Sequence, residues 1–501
     1  MWVDLLGWLS RLSKQHDHYL GAAFVGLLWL GSAVAAAGCG TFDDSEGLAG
    51  SPNQVDVDDA LTVKQSRLSH IDSGNRAGEI TDVKPGDLPK PIVVTGAQMW
   101  VNEGFASLES RSVAVVANRA SRVEGGNLLS HMASMALQPN AGFDLVVAYG
   151  PEHGVDADVP AGERVDDGID SATGVRSVSL YDPGSGNLPV LEPNVDTVVF
   201  DLQDVGVRSY TYISAMGDAM LMAAQAGARF VVLDRPNPLG GQQVSGYVRL
   251  DRYESYVGRY PIPFIHGMTI GELALAIKGE RWIDEVDELD LVVVPMTGWE
   301  RDDWWGNTGL DWTAPSPGLP TIESVYAYPS LVLFEATGLS VGRGTDEPFS
   351  VLGAPWVDSD HIVAELESLG LPGVRFEAVS FTPAPGLPTS DVPFVGQKVS
   401  GVRVVVVDPR NFAPMLTALH LLSVFDAHAT MAGIGPLVER PDFFDLLAGT
   451  DRLRLSLEAG VRPAEIYAHW NAEIESFNTV RDKYLIYPDS SLRADEILES
   501  D

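Results

Sequence analysis

The chain has 501 residues and a formal charge of −36, from 33 Lys and Arg set against 69 Asp and Glu. Its 45% hydrophobic content excludes wholesale disorder, and its length allows two or three domains with packed cores. So acidic a chain lacks the clustered cations that a phosphate backbone requires, which excludes a nucleic-acid binder. A single cysteine excludes a disulfide framework and any Cys-rich zinc or iron–sulfur centre.

That cysteine, Cys39, closes an N-terminal pattern. Residues 20–37 are uncharged and mostly apolar, Arg11 and Lys14 precede them, and Ala36, Ala37 and Gly38 lead into Cys39. A positive region, an apolar run and small residues before a cysteine resemble a bacterial lipoprotein signal, in which the cysteine is lipidated and becomes the mature N-terminus. A plain membrane-spanning anchor is a second reading, because the run is just long enough to span, and a chance apolar helix is a third. Either of the first two exports the remainder, and the first predicts a periplasmic or cell-surface lipoprotein anchored to a bacterial membrane. Residues 1–39 are thus assigned to the signal. Residues 40–91, with six acids and no bases across 41–60, are assigned to an acidic flexible tether.

From Ile92 onward strand-like and helix-like stretches alternate. Short β-branched runs fall at 113–116, 145–148, 197–201, 230–233 and 291–294, and helical stretches at 127–136, 217–226 and 270–277. Apolar runs without strict alternation suit strands covered on both faces. The expected fold is α/β: a Rossmann-like parallel-sheet domain over 92–304, followed by a smaller α/β domain over 305–501. No G-x-G-x-x-G follows the first strand, so no nucleotide cofactor is implied. Residues 314–321 hold three prolines and predict a loop. Beyond it the pattern predicts helices at 361–369, 412–425 and 466–477 and a strand at 402–407. Open α/β sheets bind ligands at the carboxyl ends of their strands, and the junction of two domains makes a cleft.

Candidate chemistry sits at those strand ends. Gly150-Pro151 stops the second strand and places Glu152 and His153 beyond it, where a buried carboxyl group can act as a general acid. Asp201 ends the third strand, followed by Gln203, Asp204 and Arg208, then Tyr210 and Tyr212. These residue types suit sugar hydroxyls and the face of a pyranose ring, although an Asp–Arg structural pair is the simpler alternative. The fourth strand delivers Asp234 and Arg235, followed by Asn237 between two prolines. Thr269 and Glu272 have capping-box spacing, which leaves His266 just before them unexplained. Gly338 to Gly342 matches G-x-S-x-G around Ser340, but the glycines and Pro348 that follow oppose the helix a nucleophile elbow needs. The better reading is a glycine-rich loop presenting Arg343 to an anionic group, with Glu335 a further carboxylate. Trp299 to Trp312 reads as core rather than as a sugar-stacking wall, and Arg481 to Tyr487 as structural.

Together these motifs resemble the NamZ-type exo-β-N-acetylmuramidases, long catalogued as a domain of unknown function. The matching segments are Gly150-Pro-Glu-His-Gly154, Asp201-Leu-Gln-Asp-Val-Gly206 with Tyr210-Thr-Tyr212, and Leu233-Asp-Arg-Pro-Asn-Pro238. His266-Gly-Met-Thr269, Gly342-Arg-Gly-Thr345 and Leu447-Ala-Gly-Thr450 complete the match, in order, across residues 92–488. The family's Thr-Asn-Pro/Gln-Thr-Gly loop is altered here to Ala117-Asn118-Arg119-Ala120, and the segment after Pro383 diverges.

The resemblance implies two α/β domains with the active site in the cleft between them. It implies release of N-acetylmuramic acid from the non-reducing ends of peptidoglycan fragments, with muropeptides as partners and no metal or nucleotide cofactor. Glu152 is expected to be the catalytic acid. Its partner is open among Asp201, Asp204 and Glu335, with participation of the substrate's acetamido group a further possibility. The expected substrate-binding set is Asn118, His153, Gln203, Arg208, Tyr210, Tyr212, Asp234, Arg235, Asn237, His266 and Arg343. Two other classes remain open: a serine esterase or β-lactamase-like hydrolase acting through Ser340, and a non-catalytic muropeptide-binding lipoprotein. The sequence carries no signal for an oligomeric state.

Overall fold

A computed structural model describes residues 92–182, 188–386 and 392–489. The lipoprotein-type signal, Cys39 and the acidic tether lie outside the described residues. Within them, the chain opens with helix α1 (Gly96–Asn102) and strand β1 (Arg111–Ala117), then a small hairpin of β2 (Arg122–Val123) and β3 (Gly126–Asn127). Next come α2 (Leu128–Ala136), β4 (Phe143–Gly150), β5 (Gly168–Ile169), β6 (Arg176–Ser179) and β7 (Thr197–Asp201). The first half closes with α3 (Tyr212–Ala226), β8 (Arg229–Leu233), α4 (Ile270–Gly279) and β9 (Leu291–Val294).

Seven of these strands form one sheet in the order β5-β6-β4-β1-β7-β8-β9. All neighbours are parallel except the edge pair β5 and β6. Without β5 this is the strand order of a Rossmann fold, in which the chain reverses direction across the sheet beside its first strand. The five strands read from the sequence before residue 305 are all present in this sheet. Residues 113–117 of β1 and all of β7 are buried, as expected of strands covered on both faces. Gly227 adopts φ 67 and caps α3, which places a left-handed turn where glycine is least strained.

The second half runs α5 (Ile322–Leu331), β10 (Val351–Ala354), α6 (Ser359–Ser368), β11 (Val374–Phe381), β12 (Val399–Val406) and α7 (Pro414–Met431). It ends with α8 (Pro441–Ala448), α9 (Arg452–Glu458), α10 (Pro463–Ala468) and α11 (Asn471–Arg481). Its sheet is antiparallel, in the order β10-β12-β11. The helical tail expected at 466–477 is two helices broken at His469-Trp470, because the Trp470 side chain turns inward and is buried against Tyr247 and Tyr467. The main hydrophobic core runs through both halves, with Phe200 and Phe230 of the large sheet and Phe334, Leu419 and Phe425 of the second half among its members, while a second cluster that includes Trp100, Val113, Val115 and Leu128 is separate from it. Trp304 and Trp305 belong to the main core as well.

Candidate active site

The carboxyl end of β4 runs into a tight loop. A Cβ on Gly150 would come within 2.9 Å of the Val155 nitrogen, so the chain can fold back there only on a glycine. His153 follows with φ 74, a left-handed conformation that costs a histidine energy and is held by the surrounding structure. The loop sets Glu152 in a buried position, where Oε2 accepts from Thr211 Oγ1 at 2.6 Å and Oε1 accepts from the Gly162 N–H at 2.8 Å. The His153 ring lies 2.7 Å from the Val159 carbonyl. Burial holds its pKa below the ordinary imidazole value, opposed by the charge of Glu152.

Glu152 and His153 line a cleft of about 410 Å³, and its opposite wall comes from the second half of the chain. There Glu335, Arg343 and Arg440 reach the same space, with Tyr210, Tyr328 and Phe349 as aromatic surface. Arg343 lies between Gly342 and Gly344, at φ 80 and 81. Its Nε donates to Glu335 Oε1 at 2.6 Å, and its guanidinium stacks over Phe349 at 4.8 Å. The Tyr328 phenol is pushed above its ordinary pKa by burial first and then by Glu335, with Glu152 adding to the effect. Glu152 and Glu335 both line this one space. Tyr181, beside Glu152, is raised by burial and by that carboxylate.

Of the expected residues, Glu152, Glu335, His153, Tyr210 and Arg343 therefore meet in the cleft. Asn118 and Tyr212 stand behind it. The Asn118 amide donates to Tyr212 Oη at 2.8 Å and to the Pro315 carbonyl at 3.1 Å, and Tyr212 donates to that same carbonyl. They fix the proline-rich loop whose Ser316, Gly318 and Leu319 line the cleft.

The other expected residues are engaged elsewhere. Asp201 is fully buried in a two-bond pair with Arg235, at 2.6 and 2.8 Å, the simpler alternative the sequence allowed, though with Arg235 in place of Arg208. Burial raises the Asp201 pKa while Arg235 opposes the shift. Asp234 accepts from Thr269 Oγ1, the Gly271 N–H and Tyr487 Oη, which ties the end of β8 to the start of α4 and to the C-terminal segment. Arg208 donates to three backbone carbonyls, those of Tyr247, Ile262 and Leu447, and burial lowers its pKa to about 9. Asn237 bridges Met268 and Leu239, and His266 faces Asp204 at 3.6 Å in a fully buried setting. Gln203 donates to the carbonyls of Asp204 and Pro236 and, with Arg235, borders a separate cavity of about 830 Å³. These groups serve the loops around the cleft rather than its lining.

Ser340 is not built as a nucleophile. It is fully buried in a bridge to Gly353, and its hydroxyl accepts from the Gly342 N–H at 3.2 Å. The capping box at Thr269 and Glu272 is present as the spacing predicts, and Glu272 also pairs with Arg301 at 2.7 Å.

Sequence reasoning missed Tyr181, Thr211, Tyr328 and Arg440. Tyr181 follows β6 by two residues, so the strand-end rule would have found it had that short polar strand been recognised. Thr211 lay inside a quoted motif without a role. Tyr328 and Arg440 come from a helix and a turn with no local signal. Among the described residues, one group has the spacing to hold a metal ion, namely His361, Glu365 and His428, and none of the three lines the cleft.

Comparison with known proteins shows the family and the fold. Residues 113–323 match the family model described as exo-beta-N-acetylmuramidase NamZ, N-terminal, and residues 326–487 match its C-terminal counterpart. The peptidoglycan beta-N-acetylmuramidase NamZ of Bacillus subtilis (strain 168) is 38% identical over 411 residues, covering 81% of this chain and 94% of that protein. Crystal structures of two DUF1343 family proteins from Bacteroides fragilis superpose with TM-scores of 0.70 and 0.62, at 32% and 31% identity. Each alignment covers 80% of this chain and all of the other. With both halves matched in order and most of its length aligned at that identity, the chain belongs to the NamZ exo-β-N-acetylmuramidase family.

Proposed function

We infer that the protein is an exo-acting glycoside hydrolase that releases N-acetylmuramic acid from the non-reducing ends of peptidoglycan fragments. One observation carries the reading: Glu152 and Glu335 enter a single sugar-sized cleft from the two halves of the chain. Glycoside hydrolysis takes two carboxyl groups flanking the scissile bond, and differing surroundings separate their roles. Glu152 accepts hydrogen bonds from a hydroxyl and an N–H, has a phenol beside it, and is bonded to no cation among the described residues. Standing without a paired cation just beyond the end of β4, it is assigned proton donation to the leaving oxygen. Glu335 is paired with Arg343, so it faces the reacting carbon as a carboxylate that stabilises developing positive charge or serves as nucleophile or base. Tyr210 and Tyr328 offer ring surface for the sugar. Arg440, on the rim, faces the cleft without a carboxylate partner among the described residues and suits the lactyl carboxylate of the substrate.

The test is hydrolysis of a chromogenic β-N-acetylmuramide by the wild type and by Glu152→Gln. The variant keeps side-chain size but cannot donate the proton, which costs about 10²–10⁴-fold in rate. Its melting temperature should stay near that of the wild type. Wild-type turnover in the variant would remove Glu152 from the mechanism, and no turnover in either protein would leave a binding protein.

An exported lipoprotein, anchored through Cys39, is the location that suits this substrate. The support is the apolar run, the small residues and the absence of any other cysteine in the sequence. Stable anchoring takes more than one acyl chain. Mass spectrometry of the mature N-terminus checks it: a diacylated or triacylated Cys39 is expected, and an unmodified cysteine within an intact N-terminal segment would refute it.

A further inference from the structure

A cluster of potential ligands lies outside the cleft, where α6 packs on α7. His361 and Glu365 are one turn apart on α6, so both project from the same face of that helix. His428, in the last turn of α7, is buried and meets them from the other side. Its Nε2 lies 3.0 Å from Glu365 Oε2, and its ring stands edge-on to that of His361 with centroids 4.9 Å apart. One ligand atom from each residue falls within 4.8 Å of the other two.

We propose that His361, Glu365 and His428 form a site for a zinc-type divalent ion that ties α6 to α7. Tetrahedral zinc holds nitrogen and oxygen ligands at about 2.0–2.2 Å, which sets neighbouring ligand atoms roughly 3.3 Å apart. The His428–Glu365 pair already has nearly that separation. His361 is exposed, and a rotamer change brings its ring into the set. Two imidazoles and one carboxylate suit zinc, nickel or copper rather than calcium or magnesium, which prefer oxygen alone. Three protein ligands leave the fourth position to water. The two imidazoles are neutral when bound, so the divalent ion and the one carboxylate leave the occupied site with a single net positive charge in a chain of −36, which favours retention of the cation. Because the three residues stay clear of the cleft, the ion acts on the stability of the second half and supplies nothing to hydrolysis.

The experiment uses the untagged chain, stripped with a chelator and titrated calorimetrically with Zn²⁺. The wild type should bind one ion with micromolar or tighter affinity, melt at a higher temperature when loaded, and show four-coordinate visible absorption with Co²⁺. His361→Ala leaves the His428–Glu365 bond in place, so it should fold and hydrolyse substrate normally. Removing a direct ligand should weaken Zn²⁺ by more than the roughly 10–100-fold that loss of a supporting partner costs, and abolish the thermal shift. Glu365→Gln gives a second reading if the first variant is unstable. Equal Zn²⁺ affinity in wild type and variants, or no uptake at micromolar Zn²⁺, would overturn the site and leave His428–Glu365 an ordinary ion pair.

Discussion

Arg343 spends its Nε–H on Glu335 Oε1, 2.6 Å away, inside the cleft. The sequence offered this arginine as a reader of anions, between two glycines that leave its side chain unobstructed. Folding brings Glu335 to it instead, and in the proposed mechanism the pair serves the acid–base chemistry. Burial of both partners, at 13% and 20% side-chain exposure, gives the contact more weight than a fully solvated ion pair.

Arg343→Ala should therefore lower kcat/KM for N-acetylmuramic acid and N-acetylglucosamine substrates by the same factor. Losing a charge-assisted hydrogen bond costs about 1.5–3 kcal/mol, or roughly ten- to a hundredfold. Parallel kinetics on the two chromogenic glycosides decide it. A loss confined to the muramic acid substrate would return the lactyl carboxylate to Arg343.

Asp234 gives a pH signature. Burial pushes its carboxyl group from the ordinary 3.8 up to about 6, against the donors Tyr487, Thr269 and Gly271 that pull it down. The folded state thus holds this proton more tightly than the unfolded chain does. The stability that follows is fully present below pH 3.8 and is lost as pH rises toward about 6, in total on the order of 3 kcal/mol. Asparagine keeps the shape and removes the titration. Urea unfolding of wild type and Asp234→Asn between about pH 4 and 7 should show the wild type's relative stability falling through that window. A difference independent of pH would mean that Asp234 titrates alike in both states.

The same strand-end rule that located Glu152 also singled out Asp201 and Asp234, and only tertiary contacts separate them. β4 ends in a loop that opens onto the second half of the chain, whereas β7 and β8 end under loops that need anchoring. Arg235 comes from the same motif as Asp234, yet it is spent on Asp201, a pairing that no spacing within the motif reveals. The parallel sheet was legible because its buried strands are apolar throughout. The start of α3 was not. Gly217 resembles a helix start but sits mid-helix, where any Cβ would strike Tyr260. Glu335 was legible as a carboxylate near a glycine-rich loop. Tyr328 and Arg440 were hidden, because α5 and the turn before α8 reach the cleft only through the packing of the second half.

Arg440 is where substrate discrimination should reside. It stands at the N-terminus of α8, stacks on Phe443 at 5.0 Å, and steadies itself by donating to the Glu335 carbonyl oxygen. Muramic acid differs from glucosamine by a lactyl ether, and so by one carboxylate at neutral pH. A protein of charge −36 repels such an anion at long range, so a local cation must hold it. With Arg343 engaged by Glu335, Arg440 is the arginine lining the cleft that pairs with no carboxylate among the described residues. Its exposure admits salt and weakens the contact, which places the effect near the lower end of the range for charged hydrogen bonds, about tenfold. Arg440→Ala should raise KM for the N-acetylmuramic acid substrate by about that factor and leave the N-acetylglucosamine analogue unchanged. Arg440→Lys should recover part of the loss, because it keeps the charge without the planar fork. Raising ionic strength should erode the wild type's preference and leave the alanine variant indifferent. If both sugars suffer equally in Arg440→Ala, the residue is bracing the Glu335 backbone and the carboxylate is read by another group.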